Sequence, residues 1–238
     1  MRKVDPADVK SDFAAFVVER LDYFDRMSAH LLAKPSPPHW QKDLSVLSEM
    51  TLQSTYVAFE VFLSDLLLAY VNRDFSQYQA ELATRIDASV RAKFRDFAAD
   101  RTVFSPLKHI KIDDLEDVVD PTGWNQTFKD VAGLKKRFSE WVAPALGMNV
   151  AAINASDTNL IDTTHAIRNF ISHRSVSSKK VMNTALSSMA VNAACPNNPL
   201  KRGVHDVHDI GAYLKSNTGG KLRVRIYMER LSAIALTL

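Results

Sequence analysis

Residues 43–72 restrict the fold more than any other segment, because apolar side chains recur through them at steps of three and four residues. That spacing is typical of a helix. The middle of the segment is apolar on nearly every side, and such a helix must be covered by several neighbours or by another subunit. The sequence therefore predicts a long central helix with these apolar positions: Leu44, Leu47, Leu52, Tyr56, Phe59, Leu63, Leu66 and Tyr70.

The rest of the chain also favours helices. Only 7 of the 238 residues are glycine, so tight turns are few and a many-stranded fold is disfavoured. The stretch RVRIY (223–227) alternates like a strand, but the steps between Ile226, Leu231 and Ile234 favour a helix. We predict an all-α fold, a multi-helix bundle of about seven helices. Besides 43–72, predicted helices cover residues 5–33, 76–98, 125–142, 157–174, 178–194, 207–217 and 221–238, and the connector 101–123 contains a short helical piece.

The chain contains no repeat, low-complexity tract or flexible linker. We therefore predict one all-helical domain that covers residues 1–238. Prolines between residues 34 and 40 end the first helix, so residues 1–40 are predicted as an N-terminal helical extension. The core of the domain is predicted to cover residues 41–238.

Composition narrows the setting and the partners. The net charge of +3 permits a polyanionic partner without requiring one, because binding depends on how basic residues cluster. A single cysteine, Cys195, excludes an intramolecular disulfide and a cysteine-based zinc site, and it fits a reducing compartment. Residues 1–10 lack the apolar stretch of a secretory signal, and the apolar window 57–71 is too short to span a bilayer. We expect a cytoplasmic protein with no membrane partner.

The segment 157–174, which includes AIRNFISHRS, divides into two faces at about 100° per residue. The apolar face comprises Leu160, Ile167, Phe170 and Ile171. The opposite face comprises Asp162, His165, Arg168, Asn169, Ser172 and His173. Solvated helix faces are usually rich in Glu and Lys, whereas this segment uses histidine, arginine, asparagine, serine and three threonines, Thr158, Thr163 and Thr164. A solvated surface and a functional site both remain open.

Residues 168–173, RNFISH, resemble the motif of the HEPN superfamily, in which four to six residues separate an arginine from a histidine. The helix with Glu60 among aromatic residues is similar to the early helix of that superfamily, and the resemblance covers about residues 40–235. It implies a HEPN-like core of the ribonuclease and toxin type. HEPN domains include metal-independent endoribonucleases of toxin–antitoxin and anti-phage systems that work as homodimers. The resemblance therefore implies RNA, a second copy and an antitoxin or other protein as partners, and no cofactor.

Cleavage of RNA without a metal needs proton transfer at two oxygens and positive charge near the phosphorus. We predict His173 as the residue that transfers a proton and Arg168 as the phosphate ligand, and Asn169 either orients the histidine or donates to the phosphate. Ser172, Arg174 and His165 are predicted to bind substrate. Arg174 falls on the core side by angle, so we expect the helix to fray there and the side chain to turn outward.

The spacing of the motif favours two copies over one. Arg168 and His173 lie about 140° apart around the helix axis, so one helix presents them poorly to a single phosphate. Two copies across a two-fold axis could bring Arg168 of one chain near His173 of the other. This agrees with the homodimer that the resemblance implies.

Two further features have two interpretations each. Glu60 shares a face with Tyr56 and Leu63, so it either lies at a wet edge or pairs with Arg168 and supports the site. The cluster HDVHD (205–209) lacks a third metal ligand, so we favour a solvated loop or helix start there and predict no metal site. Basic residues are treated as solvated, with an extended RNA surface as the alternative: Lys201, Arg202, Lys221, Arg223 and Arg225.

The sequence leaves three functions to compare. The first is a metal-independent endoribonuclease that acts as a toxin or an anti-phage effector. The second is a non-catalytic HEPN-type module that binds RNA, nucleotide or protein through the polar face of residues 157–174. The third is a helical dimerisation protein in which the central apolar helix is the interface and no site exists.

Overall fold

A computed structural model describes residues 4–33, 39–105, 107, 110–119, 127–189 and 200–238. Ten α-helices and one two-stranded hairpin lie within these residues, which confirms the predicted all-α class. The helices are α1 (Pro6–Ala33), α2 (Trp40–Arg73), α3 (Ser76–Ala99), α4 (Ile112–Val119), α5 (Val131–Trp141), α6 (Pro144–Ala151), α7 (Ala155–His173), α8 (Val176–Ser188), α9 (Ile210–Lys215) and α10 (Arg223–Thr237), and the strands are β1 (Asn217–Thr218) and β2 (Lys221–Leu222).

The structure corrects several predicted boundaries. Helix α6 was not predicted, although Pro144 at its first position is a usual start signal. Helix α5 begins after Asp130, whose side chain accepts a hydrogen bond from the backbone N–H of Gly133, so it starts later than predicted. The predicted ends at residues 190–194 and 125–126 lie outside the described residues.

The C-terminal region contains a turn and a helix. Residues 223–227 lie in α10, which confirms the helical interpretation of RVRIY. Strands β1 and β2 pair antiparallel before it, and Gly219 and Gly220 between them both have positive φ, at 61° and 83°. A two-residue hairpin with positive φ at both positions favours glycine, because side chains with a Cβ are strained there.

The chain divides into two compact units. One comprises Met1–Val9 and Leu63–Ala152, and the other comprises Lys10–Phe62 and Ile153–Leu238. The single domain over residues 1–238, with an extension at 1–40, stays a prediction. All the residues predicted for the site belong to the second unit, which we call the motif unit.

Aromatic pairs form the core of the first unit. The rings of Tyr78 and Trp141 pack edge to face with centroids 4.9 Å apart, and those of Tyr70 and Phe138 pack in the same way. Helix α3 is regular up to Arg95, where φ is 68° and ψ is 179°. Phe94 and Phe97, on either side of this break, are both exposed.

The core of the motif unit contains aromatic contacts between α1 and α2. Phe13 of α1 packs on Phe59 and Phe62 of α2, with ring centroids 5.5 and 5.0 Å away. Buried Tyr213 and Tyr227 join α9 to α10 through their hydroxyl groups, 3.1 Å apart. Burial raises the pKa of the Tyr213 hydroxyl to about 12. Both tyrosines are therefore neutral structural residues near neutral pH.

Among the described residues, α2 is one helix long and apolar enough to cross a membrane, judged by length and composition. Its most apolar window of 18 residues is 67% buried inside the protein. The core helix of a soluble protein passes the same test, so the finding is weak evidence for a membrane span.

Candidate functional site

Local hydrogen bonds fix both ends of α7. The helix begins after Asn154, whose side chain accepts a bond of 2.9 Å from the backbone N–H of Asp157 and caps the helix, so the helix starts two residues earlier than the predicted residue 157. The helix ends at His173. Arg174 adopts the left-handed conformation, with φ 49° and ψ 25°, and its backbone N–H donates to the carbonyl of Phe170. The helix therefore ends in an ordered cap and does not fray, and the side chain of Arg174 is exposed, as predicted.

The two faces of α7 differ in burial largely as the helical angles predict. Leu160, Ile167 and Phe170 are buried, and the polar positions are partly or fully exposed. Thr163 and Thr164 are the correction, because both are buried in the core. The hydroxyl of Thr164 donates a bond of 2.7 Å to a backbone carbonyl one turn back, which satisfies it within the helix.

A continuous chain of polar contacts crosses the partly exposed face. The Nη2 atom of Arg168 lies 3.1 Å from Oε2 of Glu60, which confirms the predicted pairing of Glu60 with Arg168. Nη1 of Arg168 donates to Oδ1 of Asn169 at 3.0 Å. Nδ2 of Asn169 lies 3.0 Å from Nε2 of His165. We call Glu60, Arg168, Asn169 and His165 the polar network.

The polar network fixes the orientation of the Asn169 amide. A guanidinium group only donates hydrogen bonds, so the atom that faces Arg168 must be the amide oxygen. The amide NH₂ group then faces His165, whose Nε2 must accept. Hydrogen positions follow here from bonding logic, which assigns the ring proton of neutral His165 to Nδ1.

The polar network lies at the border between the core and solvent. The side chains of Glu60 and Arg168 are 14% and 28% exposed to solvent. The Nε atom of Arg168 is buried and has no hydrogen-bond partner among the described residues. Tyr56 is buried beneath the network and stacks on the ring of His165, with centroids 5.8 Å apart. Burial is the main cause that raises the pKa of the Tyr56 hydroxyl, so this tyrosine stays neutral.

A second set of contacts attaches the end of α7 to α2. Nε2 of Gln53 donates to the hydroxyl oxygen of Ser172 at 3.1 Å, and Arg174 forms an ion pair with Glu49. The Arg174 guanidinium also lies over the ring of Phe170, 5.2 Å from its centroid. Later residues of α2 contact earlier residues of α7, so the two helices run antiparallel. Ser172 and Arg174, predicted to bind substrate, bind α2 in the structure.

His173 differs from its neighbours on α7. It is exposed in the last helical turn and forms no hydrogen bond or ion pair with the described residues. Arg168 lies five residues earlier and is held against Glu60, about 140° away around the helix axis. Within one chain, therefore, the structure assembles Arg168, Asn169 and His165 with Glu60 and leaves His173 apart.

The structure gives ordinary structural roles to the cluster 205–209. Asp206 pairs with Arg202 at 3.1 Å, and Nδ1 of His208 lies 3.0 Å from Nζ of Lys179. Asp209 caps α9 by accepting from the backbone N–H of Ala212. This agrees with a helix start. Over the described residues, no group of three histidine, cysteine, aspartate or glutamate side chains could hold a metal ion.

Several basic residues near the C-terminus form ion pairs within the chain. Lys221 pairs with Glu229, and Arg225 pairs with both Asp25 and Glu229. Hydrogen bonds from these cations lower the pKa of the Glu229 carboxyl against the opposing effect of burial. Cys195 lies outside the described residues.

The sequence contained a signal on α2 that the prediction did not use. Glu49, Gln53, Tyr56 and Glu60 follow one another at steps of four, three and four residues, which is one face of a helix. All four contact α7 or its cap residue Arg174, through an ion pair, a hydrogen bond, a ring stack and a second ion pair. Only Glu60 was singled out as a predicted site residue.

Two groups on α7, a guanidinium and an imidazole, are of the kinds that bind an anionic ligand. The polar network binds both terminal nitrogens of the Arg168 guanidinium, and the exposed imidazole of His173 lies five residues later on the same helix.

The chain matches no protein-family model, no curated protein and no solved structure.

Proposed function

We propose that the protein is a metal-independent endoribonuclease of HEPN type that acts as a homodimer. The observation that supports this most is the layout of α7. A carboxylate and an amide each bind one terminal nitrogen of Arg168, while His173 is exposed at the end of the same helix. A phosphate-binding arginine held in place before substrate arrives is the arrangement that electrostatic catalysis requires.

In the proposed reaction the ribose 2′-oxygen attacks the adjacent phosphorus and the bond from phosphorus to the 5′-oxygen breaks. His173 takes the proton of the 2′-hydroxyl, and a water molecule gives a proton to the leaving 5′-oxygen. Arg168 stabilises the charge on the phosphorane. The products are a 2′,3′-cyclic phosphate and a 5′-hydroxyl, and no metal ion takes part.

Two copies are part of the proposal because one chain separates the two groups. The five-residue spacing places Arg168 and His173 about 140° apart, and the contacts of Arg168 with Glu60 keep it on the α2 side. A composite site would combine Arg168 from one chain with His173 from the other. His165 would contribute its Nδ1 N–H as a donor to the bound RNA.

One observation favours a non-catalytic module as the second candidate. Both terminal nitrogens of Arg168 already have partners inside the chain, and its Nε is buried. An arginine bound in this way can serve the fold alone. In that case α7 binds RNA, nucleotide or a protein partner without cleaving it.

Cleavage of single-stranded RNA by purified protein in EDTA tests the proposal. Wild type should release 2′,3′-cyclic phosphate ends, and His173→Ala should lower the rate by about 10²–10⁴-fold, which is the usual contribution of a proton-transfer residue. The matched control is His205→Ala, at an exposed histidine outside the polar network. Circular dichroism checks that each variant is folded.

The outcomes separate the two candidates. If His173→Ala cleaves as fast as wild type, the proposed mechanism is wrong. If wild type binds RNA without cleaving it and Arg168→Gln weakens binding, the non-catalytic module is correct. The proposal extends to a role as a cytoplasmic toxin or anti-phage effector, in which expression of wild type stops growth and expression of His173→Ala does not.

A further inference from the structure

Four aliphatic side chains of α2 are exposed in the motif unit. Val46, Met50, Val57 and Val61 are 46%, 63%, 40% and 38% exposed. They fall within an arc of about 60° around the helix axis, so they form one continuous stripe. We call them the α2 stripe.

The sides of α2 that pack on α1 and α7 lie at other angles around the helix axis than the α2 stripe. Phe59 and Phe62, which pack on α1, point to the opposite side of the helix. Glu49 and Glu60, which bind α7, lie on one flank of the stripe. The stripe is therefore an apolar face beside the polar network.

The α2 stripe is symmetric along the helix. Val46 and Val61 lie equally far from the midpoint between Gln53 and Ser54, and Met50 and Val57 also lie equally far from it. If a second copy of α2 lies antiparallel across this midpoint, every stripe residue meets another stripe residue. A partner of different sequence would give no reason for such symmetry.

Charge also fits a second copy. No charged side chain lies within the stripe, and the flanking carboxylates of Glu49 and Glu60 are both paired with arginines of α7. Two identical faces can therefore approach without unpaired like charges meeting. Gln53 and Ser54 at the midpoint are small or flexible polar residues that leave room for close approach.

We propose that the α2 stripe is the homodimer interface, formed by two antiparallel α2 helices with the two-fold axis at the midpoint between Gln53 and Ser54. Val46 then packs on the partner's Val61, and Met50 packs on the partner's Val57. The contact runs for about 22 Å along the helix. The surface stands whether or not the chain cleaves RNA.

The symmetry has a consequence for α7. A two-fold axis that exchanges two antiparallel helices keeps the same flank of each on the same side of the pair. Because α7 binds one flank of α2, both copies of α7 lie on one face of the α2 pair. This deepens the proposed function and rests on it: the two polar networks would border one shared groove.

Analytical ultracentrifugation tests the interface. Wild type should have close to twice the 26.6 kDa mass of one chain, and Met50→Glu should have the mass of one chain. Val18→Glu is the matched control, because Val18 is an equally exposed aliphatic residue on α1 outside the stripe, and it should remain dimeric. A monomeric wild type, or a dimeric Met50→Glu, overturns the proposal.

Two double variants test the antiparallel register. Met50→Glu with Val57→Lys places opposite charges across the proposed interface and should restore the dimer. Met50→Glu with Val57→Glu places like charges there and should stay monomeric. If the Glu/Lys variant is also monomeric while its circular dichroism matches wild type, the register is wrong and the proposal falls.

Ribonuclease assays on the same proteins separate this inference from the proposed function. Loss of cleavage in monomeric Met50→Glu, with recovery in the Glu/Lys variant, supports both. Unchanged cleavage by a monomeric Met50→Glu leaves the interface standing and refutes the composite site. A dimeric Met50→Glu with unchanged cleavage refutes the interface alone.

Discussion

Gly211 brings the backbone of α9 close against α2. A Cβ atom added there would lie 2.7 Å from Cβ of Ser45, 2.8 Å from Oε1 of Glu49 and 3.0 Å from the backbone oxygen of Ser45. Nζ of Lys215 also donates to the backbone oxygen of Gln41, so both ends of α9 rest on the same helix. Gly211→Ala should therefore push α9 away from α2 beside the Glu49–Arg174 ion pair.

The size of the effect follows from two opposing contributions. Overpacking by one methyl group costs about 1–3 kcal/mol, and the upper part applies here because the Ser45 backbone cannot turn aside. Replacing glycine by alanine within a helix stabilises the helix by at most about 1 kcal/mol. The net expectation is a destabilisation of about 1–2 kcal/mol, which lowers the melting temperature of a chain of this size by about 2–8 °C.

Thermal and urea unfolding followed by circular dichroism measure this difference. Gly203→Ala is the matched control in the same unit, because a Cβ there would meet no atom within 4 Å, and its stability should stay within about 0.5 kcal/mol of wild type. Ser45→Gly combined with Gly211→Ala removes one clashing atom and should recover part of the loss. If Gly211→Ala is as stable as Gly203→Ala, the close approach of α9 to α2 is wrong.

Two further substitutions test the site and the break in α3. Glu60→Gln removes the charge that balances half-buried Arg168 and should lower the free energy of unfolding by about 1–2 kcal/mol. Glu81→Gln, which breaks a more exposed pair with Arg85, should lower it by less than about 0.5 kcal/mol. Equal losses in urea unfolding would contradict the importance of Glu60. Arg95→Gly should raise stability by about 1 kcal/mol, because its φ and ψ lie in a region that is essentially restricted to glycine. Lys93→Gly, at a regular position of the same helix, should lower stability by about 1 kcal/mol, and a loss at both positions would show that Arg95 is not strained.

The long helices could be predicted because their apolar residues keep the period of a helix over several turns. Helix α6 could not, since its eight residues carry too few turns to show a period, and only Pro144 marks it. Thr163 and Thr164 were grouped with the polar residues by chemical type, although a threonine hydroxyl can bond to its own helix and be buried. Their chemical type suggested the exposed face, whereas their angle around the helix axis places them on the buried face.

The contacts of the candidate site were also predictable only in part. The pairing of Glu60 with Arg168 could be predicted, because a carboxylate on an apolar face needs a nearby cation. The contacts of Ser172 and Arg174 with α2 could not, because they depend on which turn of α2 faces which turn of α7. Such contacts depend on the packing of the two helices and cannot be predicted from the sequence of either helix alone.

The locked amide of Asn169 gives the polar network a direction. Arg168 donates to Asn169, and Asn169 donates to His165, so both protons between Arg168 and His165 point toward His165. The nitrogen that His165 leaves for a ligand is then its N–H, so this ring can offer a proton and cannot receive one there. Exposed His173 has no such restriction. The two histidines of one helix are therefore chemically unequal, and a ligand that crosses α7 meets a fixed donor at one end and a group able to exchange protons in both directions at the other.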